Sequence, residues 1–215
     1  LLASSAASDV YKRQILTPHY MIGRFEKGRD EIYDQYRLFL AKVQDEFPDI
    51  EFMLGREIFF GEDIAELLQE NVVSTLNDTD YALIEFHPTA TADYIAQSLY
   101  KVENAGYTPV LAHIERYPDL FKNIKMIEQI IEGGAYIQVN ASSVEGRLGG
   151  GVKRQIIKLM KKGLVHFVAT DAHSNRSRAP QLEECIRYIE KKLGSDYVKK
   201  LFIDNPEKMV HNEYI

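Results

Sequence analysis

The chain has 215 residues, 45% hydrophobic and 27% charged, a balance that excludes a disordered or fibrous chain and describes one sizeable globular domain. Its net charge of −6, with a pI near 5.6 and no Lys/Arg block, sets aside a nucleic-acid backbone as the obvious partner. The single cysteine, Cys185, can form no internal disulfide, and no apolar run approaches the roughly 18 residues of a membrane span, so a cytoplasmic protein without a membrane span is expected.

Residues 1–14 lack the basic start and apolar stretch of a signal peptide. They read as adapter-derived, non-native sequence joined to a gene fragment whose native start lies upstream, and residues 15–215 are taken as one domain. From Ile15 onward, short apolar runs alternate with helical patterns, the signature of repeated βα units. The first run is Ile15 to Thr17, held extended by Pro18. A helical spacing follows within 25–47, from Ile32 through Tyr36, Phe39, Leu40 and Val43. Phe52 to Phe59 reads as the second strand and Glu62 to Asn71 as a short helix. Tyr81 to Phe86 is a third, buried strand, followed by a helix over 91–104 with Gly106 behind it. Thr108 to Ala112 is the fourth strand, and the helix after it stops at Gly133-Gly134. Ala135 to Val139 and Val165 to Ala169 are the last two strands, separated by a helix over 152–162. The remainder, 180–193 and 196–202, is helical and ends at Asn205-Pro206, which closes the helix.

An α/β sheet of this kind gathers its functional groups at the carboxyl ends of its strands. Five of the six runs deliver a metal-ligand type there: His19, Glu57, Glu85, His113, and Asp171 with His173. Read as a continuation of the last strand, Asp171 and His173 share one face by period-two geometry. Glu57, Glu85 and His113 follow one another at intervals of 28 residues, close to the length of a βαβ unit. Three imidazoles and three carboxylates suit Mn, Fe or Zn, and so many ligands suggest more than one ion. Two such ions polarise a phosphoryl oxygen and activate water, so hydrolysis needs no Ser or Cys nucleophile.

Arg116 and Arg178 stand close to these ligands in sequence and are candidate phosphate clamps; each is equally readable as a surface ion pair, Arg116 with Glu115 or Asp119. His87-Pro88 is read as shaping its loop, and His166 and His211 as structural or solvated. Asn140 to Ser143 ends the fifth run without a ligand and either lines the pocket or caps the next helix. Gly149 to Gly151 lacks the Lys-Ser/Thr of a phosphate loop and reads as a hinge, and Cys185 lacks the Arg cradle of a thiol phosphatase.

Thr17-Pro18-His19-Tyr20, Gly55-Arg56-Glu57-Ile58, Leu83 to Phe86, Ala112 to Tyr117, Gln138 to Ser142, Thr170 to His173 and the closing Asn205-Pro206 together resemble the PHP-type metallophosphatases. The nearest group is the bacterial manganese-dependent protein-tyrosine phosphatases of capsule and exopolysaccharide synthesis, the CpsB/YwqE type. The resemblance implies a distorted, TIM-like (β/α)7 barrel with a metal site of two or three Mn2+ ions on its rim. Its ligands fall on His19, Glu57, Glu85, His113, Asp171 and His173, and its phosphate-binding arginines on Arg116 and Arg178. The implied substrate is phosphotyrosine in the tail of a partner tyrosine kinase. The family's opening Asp-x-His-x-His strand has no counterpart in residues 1–14, so the barrel is expected to lack its first strand and helix here and this chain alone to be inactive or weakly active. The alternatives are another PHP-type phosphoesterase, for instance one acting on histidinol phosphate, or a catalytically impaired binding module.

Overall fold

In the computed structural model, which describes residues 13–173 and 181–215, eight short strands form two parallel ladders. Strand β1 (Arg13–Leu16) overlaps the first expected run, with β2 (His19–Tyr20) beyond it after Pro18, and β3 (Glu51–Leu54) and β4 (Glu57–Phe59) are the second expected run broken in the middle. β1 pairs with β3, and β2 with β4. The break falls where Pro18 supplies no donor, beside Gly55 and Arg56, which lie between β3 and β4. Hydrogen bonds still cross it, Gly55 N to Leu16 O and Glu57 N to Pro18 O. Arg13 and Gln14, set aside with the leader, belong to β1, and Arg13 pairs with Glu51 and Glu207.

The six-stranded ladder continues through β5 (Tyr81–Glu85), β6 (Thr108–Leu111), β7 (Tyr136–Asn140) and β8 (Phe167–Ala169), in the order β2-β4-β5-β6-β7-β8. Spatial order equals chain order, so each crossover steps to the adjacent position and all carboxyl ends lie on one side. The His19 and His173 rings, from opposite ends of the ladder, lie 5.7 Å apart, so the sheet is strongly curled.

Helices α1 (Arg29–Val43), α2 (Ile64–Gln69) and α3 (Ala92–Asn104) follow the expected pattern, although α1 is shorter than the 25–47 span. Phe25 lies outside it in a loop bridged to Met21. The helix expected after β6 is two, α4 (Pro118–Phe121) and α5 (Ile124–Glu132), because the Asn123 side chain accepts from Met126 N and starts a new helix. α6 (Ala141–Glu145) follows β7 directly, and α7 (Gly150–Lys161) begins two residues earlier than expected. Gly149, at φ +93°, makes the turn into it.

After α8 (Glu183–Leu193) and α9 (Ser195–Lys199), a π turn over Lys200–Asp204 leads into α10 (Asn205–Val210). Asn205-Pro206 therefore opens a helix, correcting the expectation that it closes one. A first-turn proline lacks only an N–H that has no helical partner there. Asn205 is buried, and its Nδ2 donates to His166 O at 2.7 Å.

The main core packs Ile58, Ile84, Leu111, Ile137 and Val139 of the sheet against Ile95, Leu99, Ile127, Ile156 and Leu159 of the helices. Apolar side chains every three or four residues on α3 and α7 meet near-continuous apolar strands, as a covered parallel sheet requires. A smaller cluster of Leu76, Tyr81, Val110, Phe167 and Met209 lies beside it.

Two consequences are measurable. A Cβ on Gly55 would fall 2.8 Å from Leu76 Cδ2 and 3.1 Å from Ile15 Cγ2. Gly55→Ala is therefore expected to lower stability by about 1–3 kcal/mol in urea unfolding, as overpacked cores do. His166 is buried and its Nδ1 accepts from Ile137 N at 3.1 Å. Burial, with Lys200 nearby, pushes its pKa down to about 4. The unfolded chain takes up that proton first, so stability is complete above the ordinary histidine pKa of about 6.5. It falls by roughly 3 kcal/mol as the pH drops through the window down to about 4. Unfolding curves across that range should show this slope, and His166→Asn, which keeps an acceptor without the titration, should flatten it.

Candidate metal centre and anion cleft

The register of the ladder sets the first two ligands side by side, because His19 on β2 pairs with Glu57 on β4. Phe59 pairs with Glu85, which brings the end of β5 to the same rim. His113 lies beyond the end of β6, with the backbone in the left-handed region at φ +34°. A non-glycine residue held there is strained and turns its side chain out of the strand's alternation.

His19 Nδ1 lies 3.4 Å from Glu57 Oε2 and 3.8 Å from Glu85 Oε2. His113 Nε2 lies 2.8 Å from Glu57 Oε1 and 3.4 Å from Glu85 Oε2. One donor atom from each of His19, Glu57 and Glu85 falls within 4.8 Å of the others. Ligands at about 2.1 Å from a common ion stand at most about 4.2 Å apart, so a small contraction closes this set on a divalent cation. Glu85 Oε2 is buried and makes no hydrogen bond, an orphaned acceptor of the kind a metal satisfies.

The electrostatics agree. Burial alone would lower the His113 pKa, but the hydrogen bond to Glu57 and the approach of the Glu85 carboxylate outweigh burial and push it up to about 9. Burial would raise the Glu85 pKa, but His113 nearby, with Glu57 and His19, holds it below the usual carboxylate value. The carboxylate pair thus draws a positive charge, and a proton on His113 supplies it. A cation bound here displaces that proton, so affinity should rise with pH, by up to tenfold per unit below about pH 9. Calorimetric titration of Mn2+ at pH 7 in buffers of different ionisation enthalpy should show about one proton released per ion, and none in His113→Gln.

The strand ending in β8 differs from the period-two reading. β8 stops at Ala169, and Asp171 takes a left-handed backbone at φ +49°. Asp171 and His173 are nonetheless neighbours, with His173 Nδ1 3.4 Å from Asp171 Oδ1, through that turn and not through strand alternation. His173 in turn faces His19. Arg116 does not pair with Glu115 or Asp119. Its Nη2 donates to Asp171 Oδ2 at 2.6 Å, while Glu115 is buried and accepts from Asn140 N, and Asp119 accepts from Ala92 N at α3. The clamp candidate and the ligand candidate thus hold each other. A cleft of about 260 Å3 opens beside them, lined among others by Asn140, Ser142, Arg147 and Thr170.

All six expected ligands and Arg116 therefore meet on one rim. Arg178 lies outside the described residues. Asn140 and Ser142 do line the cleft, and Asn140 occupies the cap position of α6 without using its side chain as a cap. Sequence reasoning missed Arg147, the inward turn of Glu115 and the use of Gln138. The available signal was that Gln138 and Asn140 alternate with apolar Val139 on a strand buried on both faces. His87 bonds Thr89 within its loop, and Cys185 is buried with its thiol pKa pushed up by burial, so neither joins the site.

The sequence profile described as "Capsular polysaccharide synthesis, CpsB/CapC" matches residues 1–211. The chain belongs to this family. It is 34% identical over 220 residues to the tyrosine-protein phosphatase CpsB of Streptococcus pneumoniae, covering 100% of this chain and 90% of that protein. To the tyrosine-protein phosphatase YwqE of Bacillus subtilis it is 30% identical, covering 100% of this chain and 84% of that one. A chain from the crystal structures of Bacillus subtilis YwqE and Streptococcus pneumoniae CpsB, described as unique metal-dependent tyrosine phosphatases, superposes with a TM-score of 0.87 at 28% identity, covering 95% of this chain and 82% of that chain.

Proposed function

We propose that the protein is a metal-dependent phosphotyrosine-protein phosphatase of capsular polysaccharide synthesis, a hydrolase of phosphoric monoesters that uses Mn2+. The observation that carries this reading is the junction of the His19, Glu57, Glu85 and His113 cluster with the cleft of Arg116 and Asp171. The family membership and the named relatives support the same substrate class.

Bound cations supply polarisation of the phosphoryl group and a water of lowered pKa. The protein's part is positioning. Arg116 has five N–H donors and one of them is bonded to Asp171, which leaves capacity to take a phosphate oxygen. Asp171 orients both Arg116 and His173, and its Oδ1 is a carboxylate oxygen able to take the proton of the attacking water. Arg178 is assigned as the second clamp on the resemblance alone.

The curl that brings His19 to His173 supports reading the sheet as the rim of a PHP-type (β/α)7 barrel, with a further strand against the β2 edge that no described residue covers. The substrate is phosphotyrosine in the tail of a partner tyrosine kinase. No helix among the described residues is long and apolar enough to cross a membrane, and a cytoplasmic site of action accords with that substrate.

The protein assayed with Mn2+ should hydrolyse a phosphotyrosine peptide and not histidinol phosphate, and EDTA should abolish the rate. Arg116→Ala and His173→Ala should each lower kcat/KM by at least about 100-fold, the scale for losing one group that stabilises transition-state charge. Preference for histidinol phosphate, or an unchanged rate in His173→Ala, would overturn the assignment.

A further inference from the structure

β7 is the one strand of the six-stranded ladder between Glu57 and Asp171 that brings no metal ligand, yet it carries two buried polar side chains. Gln138 and Asn140 are 5% and 4% exposed, and their separation by two residues puts them on one face. Gln138 Oε1 accepts from the backbone N of His113 at 2.5 Å, across to β6. Gln138 Nε2 donates to Asn140 Oδ1 at 2.9 Å, and Asn140 Nδ2 donates to Asp171 Oδ2 at 2.8 Å, across to β8. Buried Glu115 completes the frame, its Oε1 accepting from Asn140 N at 2.9 Å.

Asparagine is a preferred N-cap, and Asn140 stands at the cap of α6, but its side chain makes no cap bond. That local stabilisation is forgone for a bond to the next strand. The two residues at the ends of this chain of bonds, His113 and Asp171, are both non-glycine residues in the left-handed region, a conformation that persists only where the surroundings over-determine it.

We propose that Gln138 and Asn140 are positioning residues, a buried amide bridge that fixes His113 and Asp171 in their strained conformations and thereby sets the spacing of ligands on either side of β7. The inference rests on the metal reading of the site and extends it to a strand that touches no ion.

The test compares Asn140→Ala, the near-isosteric Asn140→Asp, which cannot donate to Asp171, and Gln138→Met, which keeps volume without polarity. Thr75→Val serves as control, because it removes a buried hydrogen bond to Thr79 O that lies outside the bridge. Mn2+ affinity is measured by calorimetry on full-length folded protein, beside the metal-free melting midpoint. The bridge variants should bind Mn2+ about 10–100-fold more weakly, the usual effect of disturbing groups that orient ligands, with kcat lowered and KM little changed. Thr75→Val should lose comparable stability and keep its affinity. Folded bridge variants that bind Mn2+ as the unaltered protein does would overturn the proposal, and Asn140→Asp carries the test if Gln138→Met does not fold. If the unaltered protein takes up no Mn2+ while the phosphatase assay succeeds with another ion, that ion replaces it as probe and the same comparison decides; if no divalent cation binds, the metal reading falls together with the bridge.

Discussion

Glu57 and Glu85 are two carboxylates in a confined, largely buried space, and the rest of the rim answers to them. Like charges with oxygens within 4.8 Å of each other cannot both persist in a medium of low dielectric without a cation between or beside them. The neighbouring groups respond to them: His113 is pulled towards its protonated form, His19 approaches both carboxylates, and Glu85 Oε2 is left without a hydrogen bond. Replacing the acids by apolar residues would relieve the tension and remove the reason for the site. The parallel order of the sheet is what allows it, since consecutive strands bring consecutive candidate ligands to one edge.

The second half of the rim is built on a different principle. Around Glu57 and Glu85 the imidazoles and carboxylates crowd together, whereas around Asp171 the interactions are directional, with Arg116 and Asn140 both donating to one oxygen. Such a carboxylate is held at a fixed angle, and the cleft beside it is lined by a guanidinium, an amide and hydroxyls. Charge compensation defines the first half and hydrogen-bond geometry the second. A phosphoryl group, which needs both polarisation and a fixed orientation, fits their boundary.

Much of this was legible in the sequence, for physical reasons. Apolar runs at regular distance imply βα repeats, and a ligand-type residue after five of six runs implies a rim, so His19, Glu57, Glu85, His113, Asp171 and His173 could be named from spacing. What could not be read was whatever depended on backbone turning. Asp171 leaves its strand through a left-handed turn, so period-two geometry reached the right neighbour by the wrong route. Arg116 had three acids within reach in sequence or space, and only the fold shows Glu115 turned inward and Asp119 engaged at α3. Pro206 was misread because a proline ends one helix or begins another, and the π turn before it leaves no sequence mark.

The left-handed backbone at His113 and Asp171 also bears on how such a protein can change over generations. Each position would relax if it became glycine, since only the side chain makes the conformation unfavourable. His113 also carries the positive charge beside Glu57 and Glu85, and Asp171 is the acceptor for Arg116 and Asn140, so a lineage selected for heat resistance alone would relax the backbone at either position only by leaving buried polar groups without partners. The strain is held in place by the bonds of neighbouring side chains, so these two positions can change only together with their partners.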